Sequence, residues 1–493
     1  MELPKDLQGA KALTWAPYAG RNLSYFLTVM HLRETYGKKY EPLIGISFSH
    51  LFVQGASHEW MMYRAPAESE RLEAFVQKRC ADSAYVQRVL DLNDENYGQY
   101  RRHANDFLSR DFRNATPAEL AGALKTHCDS LLQMASSISC SIIFAGALAR
   151  RLQEQVPEKT VMTLALPLRP TLPFQEEKNF WQLVGELQQA GFRHVADALL
   201  RPEFKNALDA HFEAYCWLDA YEDGAVWSRP AFDQRIEEAL GKPASEKIAE
   251  LEKRHREQEQ LIEKTILENG LDAALVRQFR LAMFHRILGE SLLGFGNHAT
   301  VRLFSAIAKT LGMGQNQVKW LSDDELLSAL SGKTPVSALM DRLPQRQKHY
   351  LVALGEKDVH TYQGPDVDVV LSQLDIEHPA VADVTEVRGM SAYPGIVQGT
   401  ARVVRHVGEL DKVKAGDILV TLNTTPSFIL AMKRSAAIVT DEGGITCHAA
   451  IVSRELGIPC IIGTKAGTRL IPDGAQIEVD AAKGTVTRLD QPA

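Results

Sequence analysis

Thr440-Asp-Glu-Gly-Gly-Ile-Thr-Cys-His448-Ala-Ala-Ile-Val-Ser-Arg-Glu-Leu-Gly457-Ile-Pro459 is the stretch that decides how the carboxyl end of this chain folds. After His448, apolar Ala449, Val452 and Leu456 recur at helical spacing, with Ser453 and Arg454 on another face. Gly457 ends the helix and Pro459 bars its return. Thr446 is the natural N-cap. The pattern seats one histidine just inside a helix start, behind Gly443 and Gly444, where the backbone can come close to a ligand. Helix N-termini present unpaired N–H donors and a positive dipole end, so they hold phosphate well. A ring nitrogen in that place can carry a phosphoryl group with backbone N–H groups facing it. Cys460-Ile-Ile-Gly463 then reads as a short buried strand.

Outward from this helix, the chain after residue 388 reads as short β runs with glycine turns, at 396–404, 418–422, 437–440, 477–480 and 485–487. The runs Tyr393-Pro-Gly395-Ile-Val-Gln-Gly399-Thr-Ala-Arg-Val-Val, Gly416-Asp-Ile-Leu-Val420, Ala436-Ala-Ile-Val439, Asp473-Gly474 and Asp480 to Gly484 accompany the histidine segment. Together they resemble the phosphohistidine, or swivelling, domain of the phosphoenolpyruvate-utilising enzymes: phosphoenolpyruvate synthase, pyruvate phosphate dikinase and rifampin phosphotransferase. The resemblance covers the last hundred or so residues and is strongest to phosphoenolpyruvate synthase. It implies that His448 is the nucleophile and phosphocarrier, with Gly443, Gly444, Thr446 and Cys447 around the phosphate. It also matches Thr446 to the threonine that regulatory kinases modify in those dikinases, beside its role as a cap. Cys447 reads as a small packing residue, since no activating motif but His448 accompanies it.

Residues 1–375 read mainly as helices. Thr116, Pro117 and Glu119 form a capping box opening a helix with leucines 120, 124, 131 and 132 on one face, and Ser322 with Glu325 forms a second. A charged helical arm spans about 245–293. Its first helix carries many opposite charges at i,i+4 and a thin apolar seam of Ile248, Leu251, Leu261 and Ile262, and stops at Gly270. A second helix from Ala273 to about Leu293 packs back on it, and another runs from Ala299 to Gly312. Residues 376–388, with Pro379 and weak periodicity, read as the linker, and 389–490 as the phosphohistidine domain. The expected fold is therefore multidomain, a large mainly α-helical domain followed by a small β/β/α swivelling domain. The central part also resembles the acceptor-binding domain of rifampin phosphotransferase-like enzymes, through the arm, Leu311-Gly-Met-Gly, Val318-Lys-Trp-Leu-Ser-Asp-Asp-Glu-Leu and Arg346-Gln-Lys-His-Tyr350. Arg280, His285, Arg286, Glu290, His298 and Arg302 supply candidate bases and cations for an acceptor site. The aromatics Trp15, Tyr18, Tyr25, Phe26 and Trp60 read as core or as pocket lining.

The chain has 493 residues and a net charge of −7, with 45% hydrophobic and 24% charged residues, the balance of an ordinary globular protein of two to four domains. No basic stripe marks a nucleic-acid or anionic-membrane surface. The apolar run at 139–148 is shorter than the ~18 residues of a spanning helix and reads as a buried helix. The start lacks a signal-peptide pattern. Six scattered cysteines form neither a C-x-x-C pair nor a zinc spacing, so no metal site is expected, and they fit reduced cytoplasmic thiols. Gly294-Phe-Gly296-Asn-His-Ala299 matches a dinucleotide fingerprint by letter but lies in a helical run. Ser331-Gly-Lys-Thr334 lacks the upstream Walker glycine, because position 327 is Leu.

No ATP-grasp domain, which would load the histidine in the resembled enzymes, is readable. The expected function is thus a phosphotransferase subunit. A separate ATP-grasp protein, with ATP and Mg, loads His448, and the swivelling domain passes the phosphoryl group to a small hydroxyl acceptor in the helical domain. The division resembles that of phenylphosphate synthase, which implies a phenolic acceptor class. A second reading fits the same residues: a non-enzymatic phosphoacceptor or regulator whose partner reads the state of His448.

Overall fold

The computed structural model describes residues 2–21, 25–30, 32, 45, 47–56, 59–218, 226–376, 386–405, 407–425, 428–444 and 447–489. Thr446 and linker residues 377–385 lie outside them, as do the side chains of Tyr18, Trp60 and Arg454.

Four long helices build the body of the first domain: α1 (Ser83–Ser109), α2 (Pro117–Gln153), α3 (Ala244–Asn269) and α4 (Ala273–Leu311). Both expected capping boxes form. At the start of α2 the Thr116 hydroxyl accepts the Glu119 N–H, and the Glu119 carboxylate accepts the Thr116 N–H at 2.7 Å. At Ser322 the same exchange with Glu325 opens the helix Asp323–Leu330. Gly270 closes α3 in the left-handed conformation at φ 62°, where a side chain would be strained.

Where two helices were expected between Ala273 and Gly312, α4 runs unbroken through Gly294 and Gly296. Packing overrides helix propensity here. A Cβ on Gly296 would sit 1.7 Å from the Tyr100 hydroxyl of α1, and one on Gly289 would meet Ile138 of α2 and the Tyr97 hydroxyl. The glycines let α1 and α2 approach α4 closely, which disposes of the nucleotide-loop reading. Trp15, Tyr25 and Phe26 are core residues. By length and composition α2 qualifies as a membrane-spanning helix, but 67% of its most apolar window is buried against its neighbours. The charged α3 shows the expected i,i+4 pairs, such as Lys264–Glu268 at 3.6 Å.

The first domain also holds a six-stranded sheet that the sequence reading lacks. Its strands are β1 (Thr14–Arg21), β2 (Leu51–Ala56), β3 (Glu59–Arg64), β4 (Tyr350–Leu354), β5 (Val359–Gln363) and β6 (Asp375–Ile376), in the order β5-β4-β2-β3-β1-β6. β2 pairs with β4 across some 300 residues, Leu51 opposite Leu354. Short apolar runs such as these look alike in a strand and a buried helix, so periodicity alone cannot reveal them.

The second domain is one sheet of eight strands: β7 (Glu386–Arg388), β8 (Met390–Tyr393), β9 (Ile396–Val404), β10 (Ile418–Thr421), β11 (Ala437–Thr440), β12 (Cys460–Ile462), β13 (Gln476–Asp480) and β14 (Thr485–Arg488). The described ends of the expected linker are themselves strands: β6 pairs with β1, and β7 pairs with β14. β9 pairs antiparallel with β13 through residues 396–400 and parallel with β10 through 401–404. The parallel strands β10 and β11 are buried at every position. Ile418 and Val420 face a core shared with β13 and β14, whereas Leu419 faces the core beneath α5 (His448–Leu456). That two-residue alternation makes the β/β/α layering.

Gly296→Ala should lower the unfolding midpoint. The overpacking cost of ~1–3 kcal/mol exceeds the helix-propensity gain of ~1 kcal/mol. Adding Tyr100→Phe, which removes the clashing hydroxyl, should recover part of the loss. Thermal melts of the single and double variants check this.

Candidate functional site

Parallel pairing brings the site together. β10 and β11 end level, Thr421 opposite Thr440, so the loops that follow them emerge side by side at the carboxyl edge of the sheet. This is where open parallel sheets place ligands. The loop after β10 carries Thr424, and the loop after β11 carries Gly443 and Gly444 and leads into α5. Backbone bonds tie the two: Asp441 N–H to Thr421 O at 3.1 Å and Glu442 N–H to Leu422 O at 2.8 Å. Asn423 adds a side-chain bond to Glu442 at 3.1 Å. The buried Asp441 carboxylate accepts from the Thr464 hydroxyl at 2.6 Å, the Thr468 N–H at 3.0 Å and the Thr468 hydroxyl, which fastens the loop after β12 to the same edge.

His448 is the first residue of α5, as its sequence context predicts. The cap differs from expectation. Cys447 holds the N-cap position and its Sγ accepts the Ala450 N–H at 3.4 Å, so the thiol replaces the expected threonine hydroxyl. Gly443 has φ 140°, in the region that favours glycine, and a Cβ there would lie 3.0 Å from Cys447 Sγ. Gly444 has open space around its Cα, so no steric demand fixes it. Gly457 caps the other end of α5 in the left-handed conformation, φ 69°.

Two side chains that contact or influence the ring come from outside α5. Thr424, itself buried, makes a 2.8 Å bond between Oγ1 and His448 Nδ1. Sequence reasoning missed it; the signal was its place one loop away on the neighbouring parallel strand. The second is Arg286 of α4, in the helical domain. Burial foremost, and then the Arg286 guanidinium, push the His448 pKa down to about 4. His448 therefore stays neutral at physiological pH, keeping a lone pair that protonation would remove.

The six candidate acceptor residues do not form one site. Arg280 and Arg302 are 22 positions apart on one helix, ~33 Å along its axis. Arg280 is structural: it donates to Leu166 O at 2.9 Å and pairs with Glu259 of α3. Arg302 donates to Leu108 O at the far end of α1. His298 lies beside it, its pKa lowered by burial and by Arg302. His285, Arg286 and Glu290 remain, within about a turn of one another, with Arg286 Nε 3.7 Å from Glu290 Oε1. Among the described residues no group of three or more His, Cys, Asp or Glu is placed to hold a metal.

A half-buried, neutral histidine thus stands at a helix start on the carboxyl edge of a parallel sheet. Residues 413–484 match the family described as PEP-utilising enzyme, mobile domain. The chain is 51% identical over 100 residues to a probable phosphoenolpyruvate synthase of Methanothermobacter thermautotrophicus, covering 20% of this chain and 15% of that one. It is 57% identical over 99 residues to a probable phosphoenolpyruvate synthase of Archaeoglobus fulgidus, covering 20% and 13%. To the phosphoenolpyruvate synthase of Pyrococcus furiosus it is likewise 57% identical over 99 residues, covering 20% and 12%. The matches thus span about an eighth to a seventh of these relatives' lengths.

In an NMR titration of the full chain, the His448 ring should show a midpoint near 4. Arg286→Gln should raise that midpoint, because it removes the positive charge, yet leave it below the ordinary histidine value, because burial is the larger cause. A midpoint unchanged by the substitution would mean that Arg286 does not act on the ring.

Proposed function

We propose that this chain is the phosphocarrier and acceptor-binding subunit of a dikinase-type phosphotransferase. A separate ATP-grasp protein, with ATP and Mg, loads His448, and the second domain carries the phosphoryl group to a small hydroxyl compound held by the helical domain. The observation that carries this reading is the arrangement of Thr424, His448 and Arg286. The Thr424 hydroxyl engages Nδ1, so Nε2 is the ring nitrogen left to take the phosphoryl group. Arg286, from the other domain, supplies a cation whose charge reaches that ring. A carrier that meets the acceptor domain away from bulk water keeps its reactive phosphoramidate from hydrolysis.

Loading is assigned to a partner because neither nucleotide-like stretch is a phosphate loop. Gly294 to Gly296 lies within α4, and Ser331 to Thr334 is the turn after the helix Asp323–Leu330. The hydroxyl class of acceptor follows from the phosphotransfer reading, and the phenolic member of that class from the resemblance to phenylphosphate synthase.

Treating the full chain with phosphoramidate, a chemical phosphoryl donor, should place one phosphate on His448 Nε2, labile to acid and stable to alkali by 31P NMR and mass spectrometry. His448→Ala should abolish it without unfolding the domain. Thr424→Val should slow it several-fold, the scale of a lost hydrogen bond of ~1 kcal/mol. Phosphate found on Nδ1, or on a residue other than His448, would overturn the assignment. Calorimetry should detect no micromolar ATP binding by the chain alone; tight binding would remove the need for an ATP-grasp partner.

A further inference from the structure

The seam between α1 and α4 holds a charged cluster that the phosphocarrier chemistry leaves unused. The His285 ring of α4 has no exposed surface, and its Nε2 bonds the Asp94 carboxylate of α1 at 2.9 Å. Arg169 grips that carboxylate with two parallel bonds of 2.9 Å. Burial alone would raise the Asp94 pKa, but the bonds from His285 and Arg169 prevail and hold it down to about 2. Asp94 is thus a fixed anion that engages Nε2 of His285 and leaves Nδ1 as the ring's other nitrogen. That nitrogen is buried and has no hydrogen-bond partner among the described residues. An unpaired buried polar atom is costly and calls for an explanation.

The surroundings suit a ligand. Tyr97 lies beside the imidazole, ring centroids 5.7 Å apart, with its hydroxyl next to the Cβ-less Gly289 one turn along α4. Burial raises the Tyr97 pKa, so its phenol stays protonated, and its hydroxyl is 3.3 Å from Ser141 Oγ of α2. The Asp94 side chain is 31% exposed, which gives the seam a mouth. Arg286, the neighbour of His285 in sequence, is the residue that acts on His448.

We propose that Asp94 and His285 form the general-base pair that activates the acceptor hydroxyl through the unpartnered Nδ1, with Tyr97 beside the imidazole. This rests on the phosphocarrier reading above. The ligand is a small hydroxyl compound, and reaching Nδ1 requires α1 and α4 to part, because Tyr97 and Ile138 close on Gly289. Its O–H proton passes to Nδ1 of His285 and its oxygen forms the new O–P bond. The Nε2–P bond of phosphorylated His448 breaks, and its electron pair returns to Nε2. Arg286 balances the charge of the group in transit. Asp94 steadies the imidazolium that results, and Arg169 positions Asp94 without touching the ligand.

The test uses the full chain loaded on His448 with phosphoramidate and then given phenol or glycerol as acceptor probes, with phosphohistidine loss followed by 31P NMR. Wild type should discharge faster with one of the probes. His285→Ala and Asp94→Asn should load normally yet discharge at least ~100-fold more slowly, the low end of general-base contributions. Imidazole added to His285→Ala should restore part of the rate, which a purely structural role would not allow. Discharge at the wild-type rate in either variant, or a wild type that neither probe discharges, overturns the base assignment and leaves the carrier reading standing. If the wild type takes no phosphate on His448, the carrier reading itself falls and the base assignment with it.

Discussion

The level ending of β10 and β11 is the constraint on which the rest of the site depends. Two buried parallel strands in register, Ile418 opposite Ala437 through Thr421 opposite Thr440, deliver their following loops to one edge. One loop supplies the partner of Nδ1, and the other supplies the glycine turn and the helix that presents the ring. A slip of one residue would turn Leu419 and Ile438 out of one core and into the other, so the two apolar faces hold the register and the register holds the site. Asp441 then locks the edge by fastening a third loop, through Thr464 and Thr468.

The ring that emerges is tuned by two separate means. The second domain sets its orientation, through Thr424. Burial and a charge on the other domain set its protonation, through Arg286. Splitting the control in this way keeps the ring neutral while its orientation is held separately. The guanidinium thereby ties the protonation of a ring in the second domain to a charge in the first. The helical domain contributes its own arrangement of fixed charge, with α4 as the common element between the seam facing α1 and the face toward His448.

Much of the second domain was legible in the chain. The five β runs after residue 388, the helix from His448 and its stop at Gly457 all appear, with ends shifted by a residue or so. Local rules suffice there: alternation, a glycine in the left-handed region, and proline barred from a helix interior. The cap was misassigned because a threonine hydroxyl is the commoner acceptor and the cysteine beside it was read as packing. In the first domain the capping boxes and the core helices were legible. The six-stranded sheet was not, since its pairings join segments hundreds of residues apart, and α4 was divided because glycines ordinarily weaken a helix and here make room for Tyr97 and Tyr100.

The sequence alone fixes the setting of His448, in a stretch whose propensities, turns and neighbours all agree on one local structure. What only the tertiary structure decided is the company that histidine and the helical domain's charges keep. Thr424 lies 24 positions before His448, and Asp94 lies 191 before His285. No periodicity links such residues, because strand register and helix packing, not chain neighbours, set their distances. For the same reason six polar residues spaced along one helix looked like a single site in the sequence. A rise of ~1.5 Å per residue spreads them along the helix, and the different neighbours of α4 along its length give them different partners.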